Sequence, residues 1–250
     1  MAALLSATHL LRRFALFALT LLFLLTASRA GYALWHQEVL TGGNDALRLF
    51  VNGLRVDLAL VGLLSLPAIV VAPLLGALRG GRGTARALVT GSLTLAVMAV
   101  LLAEYITPGI LQFAGVRPDT QVLAAMQDAS AATLSGLRAA PLPALLGALL
   151  IALVMIAFIA RLDSRRLLAH PLSTGSATAV ALLGGAACLL AVWSGATGPG
   201  MPMADGGVSP AAVGGASPSV DELALNTAWK MLYGPVVEPV LSLISSDPIR

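Results

Sequence analysis

The sequence is poor in charged residues, and this shortage excludes most soluble folds. Only 11% of its 250 residues are charged, whereas 58% are hydrophobic and the mean hydropathy is +0.89. A soluble domain carries about 25% charged residues, which keep its surface hydrated. Disordered chains need low hydrophobicity, so the same composition excludes them as well. The composition therefore predicts an integral membrane protein.

Reactive side chains are equally scarce. The one cysteine, Cys188, excludes a disulfide framework and a metal site built from cysteines. The three histidines, His9, His36 and His170, lie in separate segments without acidic neighbours at metal-ligand spacing. The 15 Lys and Arg residues are spread along the chain, whereas a nucleic-acid-binding surface needs them clustered. We therefore predict that this chain carries no catalytic residue, no metal site and no nucleic-acid interface.

Long stretches without charge locate the predicted membrane spans, because a charge at the centre of a bilayer costs about 2.5–3.5 kcal/mol. Five such stretches are continuous runs of Leu, Ala and Val, without the alternation of a membrane strand. With flanking residues each reaches the length of about 20 residues that a helix needs to cross the hydrocarbon. The predicted fold is all-α integral membrane, with five transmembrane helices at roughly 13–34, 57–78, 86–106, 141–161 and 174–194.

The first span has an alternative interpretation. Two arginines, an apolar run and small residues over 12–30 are also typical of a secretory signal peptide. The apolar run continues, however, to Trp35, and aromatic residues suit a membrane interface. We therefore expect an uncleaved first helix, with cleavage as the alternative.

Basic residues in the short connections predict the orientation of the chain. With the N-terminus inside, the predicted cytoplasmic segments hold eight arginines and one acid, Asp163. The positive-inside rule then places the N-terminus in the cytoplasm and the C-terminus outside. We expect a membrane domain over 1–194 and a flexible outer linker over 195–218, rich in Gly, Pro, Ala and Ser.

The remaining residues, 219–250, are predicted to form a juxtamembrane segment with a short outer interfacial helix. Ser219 and Glu222 have the spacing of a capping box, which predicts a helix that begins at Ser219. Leu225, Trp229 and Leu232 follow at helical spacing and give that helix an apolar face. It leads toward the position where a further domain would follow.

Ionisable residues at the predicted outer ends of the spans are the candidate site. Arg55 and Asp57 lie at the start of span two, and Glu104 and Tyr105 end span three. Charges near the hydrocarbon are functional candidates, and Arg–carboxylate pairing lowers their cost. Two interpretations stay open: an ion pair that fixes how spans two and three meet, or a lipid head-group phosphate bound by Arg55.

Four short runs resemble the membrane part of lipoteichoic acid synthase-like phosphoglycerol transferases. They are Leu47–Asp57 entering a proline-containing span, Ala103–Tyr105, Arg117–Asp119, and Glu222–Asn226 followed by Tyr233. Their order and spacing cover essentially the whole chain. The resemblance adds Arg117 to the candidate site.

That resemblance implies a function and a missing part. In this family five helices carry an outer domain of the alkaline phosphatase/sulfatase superfamily, with a threonine nucleophile and a divalent metal such as manganese. That domain transfers glycerol phosphate from phosphatidylglycerol to a polymer or glycan of the cell envelope. The domain would begin near Arg250, where this sequence ends, so no nucleophile or metal ligand can be assigned.

We therefore expect the membrane-anchoring domain of such an enzyme. It would lie in the bacterial cytoplasmic (inner) membrane and hold an anionic phospholipid donor, with a catalytic outer domain or subunit as partner. The alternative is a non-catalytic multi-pass membrane protein, either a small transporter or an assembly partner. A lone enzyme acting within the membrane is disfavoured, because clusters of His, Cys and Asp are lacking.

Overall fold

The computed structural model describes residues 2–114, 117, 172–196 and 220–232, and these residues form helices without any strand. A single 3-10 turn, Gln37–Val39, connects the first two helices. The helices, numbered in chain order among the described residues, are α1 (Ala2–Trp35), α2 (Asp45–Ala77), α3 (Arg82–Ala114), α4 (Thr174–Ala196), α5 (Val220–Ala224) and α6 (Thr227–Leu232).

Four of these helices are long and apolar enough to cross a membrane. The predicted all-helical class is confirmed for the described residues, and four of the five predicted spans coincide with these helices, although α2 ends one residue before the predicted end of span two. The other predicted span, 141–161, lies outside the described residues, as do residues 197–218 of the predicted linker. The four candidate spans are Ala7–Trp35, Asp45–Ala77, Arg82–Pro108 and Thr174–Gly195.

Helix α2 lies at the centre and packs against α1, α3 and α4. Small residues bring α2 and α4 close together. A Cβ atom on Gly62 would lie 2.7 Å from the carbonyl oxygen of Cys188, and one on Gly184 would lie 2.6 Å from Ile69 Cδ1. Such close approach is how membrane helices gain packing energy in the absence of a hydrophobic force between them.

Three residues with unusual backbone properties lie in α2 and in the turn that follows it. Pro67 and Pro73 lie inside the helix, yet it continues to Ala77. Prolines are tolerated in membrane helices where neighbouring elements satisfy the freed backbone groups. After α2 the chain turns at Gly80, whose φ of 84° is a conformation that favours glycine. This turn returns the chain as α3.

Helices α1 and α4 each present a large apolar surface to their surroundings. Phe23 is 73% exposed and Leu183 is 74% exposed, which suits contact with lipid chains. The opposite side of α1 is buried in the bundle, so α1 is an integral part of the core. Its buried apolar residues include Leu10, Phe14, Phe17, Leu21 and Leu25.

The juxtamembrane segment differs from the single helix that the sequence predicts. Its described residues form two short helices, α5 and α6, which are separated at Leu225 and Asn226. The Asn226 side-chain oxygen accepts a hydrogen bond of 2.7 Å from the Trp229 backbone N–H and so caps α6. Leu225 and Trp229 are buried against the bundle, as expected for an apolar face. Ser219 of the predicted capping box lies outside the described residues.

Candidate functional site

A buried ion pair joins α1 to α2. Arg29 Nη1 donates to Asp57 Oδ2 at 2.9 Å, and Arg29 Nη2 donates to Asp57 Oδ1 at 2.8 Å. The two residues are 1% and 0% exposed. Two parallel hydrogen bonds match the planar guanidinium to the carboxylate. Both charges lie inside candidate spans, and their pairing keeps them away from lipid.

Gly53 provides the space for this ion pair. It lies four residues before Asp57 and therefore on the same face of α2. A Cβ atom at this position would overlap the guanidinium of Arg29. Gly53 and Asp57 together form a binding site for the Arg29 side chain, which we call the socket. Gly53 leaves room for the guanidinium, and the Asp57 carboxylate binds it.

A second ion pair joins Glu104 of α3 to Arg117. Arg117 Nη1 lies 3.1 and 3.2 Å from the two carboxylate oxygens of Glu104. Ser28 Oγ of α1 donates to the same carboxylate at 2.7 Å. Arg117 is 1% exposed, and its guanidinium carbon lies 4.6 Å from the ring centre of Tyr32, at cation–π distance. The hydroxyl of Tyr32 donates to the backbone carbonyl of Glu104 at 3.2 Å.

The juxtamembrane segment binds the first ion pair through a side chain and a backbone carbonyl. Asn226 Nδ2 donates to Asp57 Oδ1 at 3.0 Å. Arg29 Nε donates to the carbonyl oxygen of Ala224 at 3.2 Å. Asp57 therefore accepts hydrogen bonds from both α1 and the segment, and Arg29 donates to both α2 and the segment.

The same segment binds the second ion pair. The backbone N–H of Thr227 donates to Glu104 Oε1 at 3.1 Å, and Arg117 Nη2 lies 3.5 Å from the carbonyl oxygen of Leu223. The hydroxyl groups of Thr107 and Thr227 are hydrogen-bonded to each other. We call these interacting residues the polar cluster: Ser28, Arg29, Tyr32, Asp57, Glu104, Thr107, Arg117, Asn226 and Thr227.

The structure brings three of the five predicted candidates into the polar cluster, namely Asp57, Glu104 and Arg117. Their partners differ from the predicted pairing of spans two and three, because Asp57 binds Arg29 and Glu104 binds Arg117. The other two candidates lie outside the cluster: Arg55 is partly buried and Tyr105 is exposed. Arg55 Nη2 donates to the carbonyl oxygen of Ser194 at 2.8 Å, and Tyr105 is 37% exposed.

Sequence reasoning missed Arg29 and Asn226. Arg29 marks the end of the first uncharged stretch, and that stretch is too short to cross a membrane by itself. The span had to include Arg29, and an arginine inside a span needs a partner. The short length of this uncharged stretch was the signal in the sequence that could have identified Arg29 as a buried, paired residue. Asn226 falls inside the predicted amphipathic helix, where nothing local reveals its partner in α2.

The polar cluster is suited to holding chain segments together. Both of its carboxylates accept several hydrogen bonds, and their arginines also bind backbone carbonyls. Among the described residues, no group of three or more His, Cys, Asp and Glu could hold a metal ion.

Comparison with protein-family models, curated proteins and solved structures found no match for this chain.

Proposed function

We propose that this chain is the membrane-anchoring domain of a phosphoglycerol transferase of the lipoteichoic acid synthase-like type. In this proposal it holds an anionic lipid donor, such as phosphatidylglycerol, for modification of a cell-envelope polymer or glycan. The helices lie in the bacterial cytoplasmic membrane with the C-terminus on the outer face. A catalytic outer domain or subunit supplies the nucleophile and binds the divalent metal.

The observation that carries the lipid part of the proposal is the environment of Arg55. Arg29 and Arg117 each pair with a carboxylate, whereas Arg55 donates to the neutral backbone carbonyl of Ser194. No carboxylate in the described part of the chain forms an ion pair with Arg55. A guanidinium has five N–H donors and binds phosphate through two parallel hydrogen bonds. Arg55 is partly exposed, and its positive charge has no carboxylate partner among the described residues, which suits a lipid phosphate as its ligand.

The surroundings of Arg55 fit a lipid at the membrane edge. Trp193, next to Ser194 in α4, is 43% exposed, and tryptophan is enriched where head groups meet hydrocarbon. Gly195 lets the end of α4 lie close to α2, since a Cβ atom there would be 3.0 Å from the Arg55 carbonyl oxygen. A cation and an aromatic residue therefore lie at one junction of α2 and α4, where a head group and the start of its chains would bind.

Lipid retention tests the proposal. The protein is reconstituted in phosphatidylcholine nanodiscs containing phosphatidylglycerol, and the retained lipid is measured by native mass spectrometry. We expect Arg55→Ala to lower retention of phosphatidylglycerol by about tenfold, because hydrogen bonds to charged groups contribute about 1.5–3 kcal/mol. Arg55→Lys keeps the charge and should retain more lipid than Arg55→Ala.

Arg79→Ala is the matched control, since Arg79 is exposed at the turn between α2 and α3, away from Arg55. This variant should retain phosphatidylglycerol as the wild type does. Equal retention by Arg55→Ala would contradict the lipid site. Failure of Arg55→Ala to accumulate in the membrane would assign Arg55 a structural role, which also contradicts it.

The transporter alternative makes a different prediction. Arg29 and Asp57 are charges inside candidate spans, and such charges often mark transport pathways. Both are buried, and the juxtamembrane segment binds them. We therefore expect no solute flux in liposomes that contain the protein. Flux that requires Asp57 would favour the transporter.

A further inference from the structure

We propose that the Arg29–Asp57 and Glu104–Arg117 ion pairs of the polar cluster form a docking site for residues 220–232. The occupant is a named segment of the same chain, and the proposal does not depend on lipid binding at Arg55. It deepens only the anchoring part of the proposed function, because it explains how the chain beyond the last described span is held by the bundle.

The first reason is that the ion pairs leave hydrogen-bonding capacity that the segment fills. A carboxylate accepts about four hydrogen bonds and a guanidinium donates five, more than one ion pair uses. Buried polar atoms without partners are costly. Asp57 receives a further bond from Asn226, and Glu104 receives one from the Thr227 backbone. The segment therefore supplies hydrogen-bond partners that the two carboxylates would otherwise lack at this end of the bundle.

The second reason is the break between α5 and α6. In a continuous helix the carbonyl of Leu223 would accept a hydrogen bond from the N–H of Thr227, four residues later. Instead, the Leu223 carbonyl lies 3.5 Å from Arg117 Nη2, and the Thr227 N–H donates to Glu104. The two partners of the lost helical bond are thus bound by the two members of one ion pair. The ion pair takes the place of a helical hydrogen bond.

The third reason is that the segment combines this polar recognition with an apolar anchor. Leu223 is completely buried and Trp229 is 2% exposed, within the packed helices. A buried tryptophan removes a large apolar area from solvent and commonly dominates the energy of an interface. The apolar residues therefore supply affinity, and the charged groups fix the register of the segment.

Disulfide formation tests the docking directly. The hydroxyls of Thr107 and Thr227 are in hydrogen-bond contact, so cysteines at both positions should reach disulfide distance. The pair Thr107→Cys/Thr227→Cys is made in a Cys188→Ala background, and the oxidised product is measured by mass spectrometry. The control pair Ser92→Cys/Thr227→Cys should not cross-link, because 15 residues of helix place Ser92 about 22 Å from Thr107. Failure of the first pair to cross-link would overturn the proposal.

A charge introduced into the segment separates docking from helix packing. Asn226→Asp places a second carboxylate beside Asp57, and we expect the rate of cross-linking to fall about tenfold. Asn226→Ala removes the bond without adding charge and should give a smaller decrease. Asn44→Asp adds the same charge at an exposed position before α2 and should leave the rate unchanged.

The native Cys188 reports whether the helices remain packed. It is buried in α4 beside α2, so it should react slowly with a membrane-permeant maleimide. We expect Asn226→Asp, with native Cys188, to keep this protection. Unchanged cross-linking in Asn226→Asp would overturn the proposal. Lower cross-linking together with faster alkylation of Cys188 would also overturn it, because Asn226→Asp would then have loosened the helix packing instead of releasing the segment alone.

The lipid measurement is independent of this result. Loss of docking with normal retention of phosphatidylglycerol would contradict the docking proposal alone. Normal docking with equal lipid retention in Arg55→Ala would contradict the lipid site alone. The two proposals can therefore fail separately.

Discussion

Replacing Asp57 by leucine removes the carboxylate that pairs with Arg29 and leaves the guanidinium buried. Arg29 is 1% exposed, and its two hydrogen bonds to Asp57 measure 2.9 and 2.8 Å. In this variant Arg29 would keep its hydrogen bond to the Ala224 carbonyl but would lose the carboxylate that balances its charge. We expect Asp57→Leu to be strongly destabilising for this reason.

The expected magnitude follows from the burial of both charges. Removing one partner of a buried ion pair costs about 3–5 kcal/mol, because the remaining charge is uncompensated. Replacing both partners by apolar residues is often neutral or stabilising, by about 1–4 kcal/mol. The double variant Arg29→Leu/Asp57→Leu should therefore recover most of the stability lost in Asp57→Leu, although Asn226 loses its partner.

The assay is a double-mutant cycle on the protein in detergent micelles, with unfolding followed by circular dichroism. The wild type, both single variants and the double variant are compared under one condition. A strongly non-additive result, with the double variant more stable than Asp57→Leu, is expected for residues in contact. Additive effects would refute the assignment of Arg29 and Asp57 as partners.

Two further predictions follow from the same helices. Gly53→Ala should destabilise the protein by about 1–2 kcal/mol, because the new Cβ atom displaces the Arg29 guanidinium from Asp57. A Cβ atom on Gly31 would have no neighbour within 4 Å, so the control Gly31→Ala should be neutral or slightly stabilising. Equal effects of the two substitutions in thermal unfolding would contradict the socket. Helix α1 should be retained in the mature protein, since cleavage near Ala30 would remove Arg29 and leave the buried Asp57 carboxylate without its ion-pair partner. Intact mass spectrometry of protein from bacterial membranes checks this. A mass that lacks residues 1–30 would contradict it.

The helices were predictable because the cost of charge in hydrocarbon acts on each segment separately. The uncharged stretch between Asp57 and Arg79 marks most of α2 without knowledge of any other helix. The same reasoning identified Asp57 and Glu104 as candidates, since both lie where uncharged stretches begin or end. Such local rules depend on the composition of one segment and on no contact with another helix.

The pairing within the polar cluster was not predictable because it depends on how helices rotate against one another. Asp57 and Arg29 are 28 residues apart, and Asn226 is 169 residues from Asp57. Arg55 and Asp57 are close in sequence, but Asp57 is completely buried whereas Arg55 is partly exposed and binds Ser194. Residues two apart do not share a face of a helix, which weakens any argument from their proximity.

The break in the juxtamembrane segment shows tertiary contacts overriding a local pattern. The capping box and the spacing of Leu225, Trp229 and Leu232 favour one continuous helix. Arg117 and Glu104 instead bind the backbone groups of Leu223 and Thr227, and Asn226 caps a new helix. Buried ion pairs can satisfy these groups as well as a helix does, but their position is known only from the fold.

Cross-linking of Thr107→Cys to Thr227→Cys in native membranes is the most direct test of the polar cluster as a docking site. We expect efficient disulfide formation in the Cys188→Ala background. We also expect a rate about tenfold lower in Asn226→Asp, with Cys188 still protected in the matching variant that keeps it. No disulfide, a rate that Asn226→Asp leaves unchanged, or simultaneous loss of Cys188 protection would contradict the docking of residues 220–232 on the bundle.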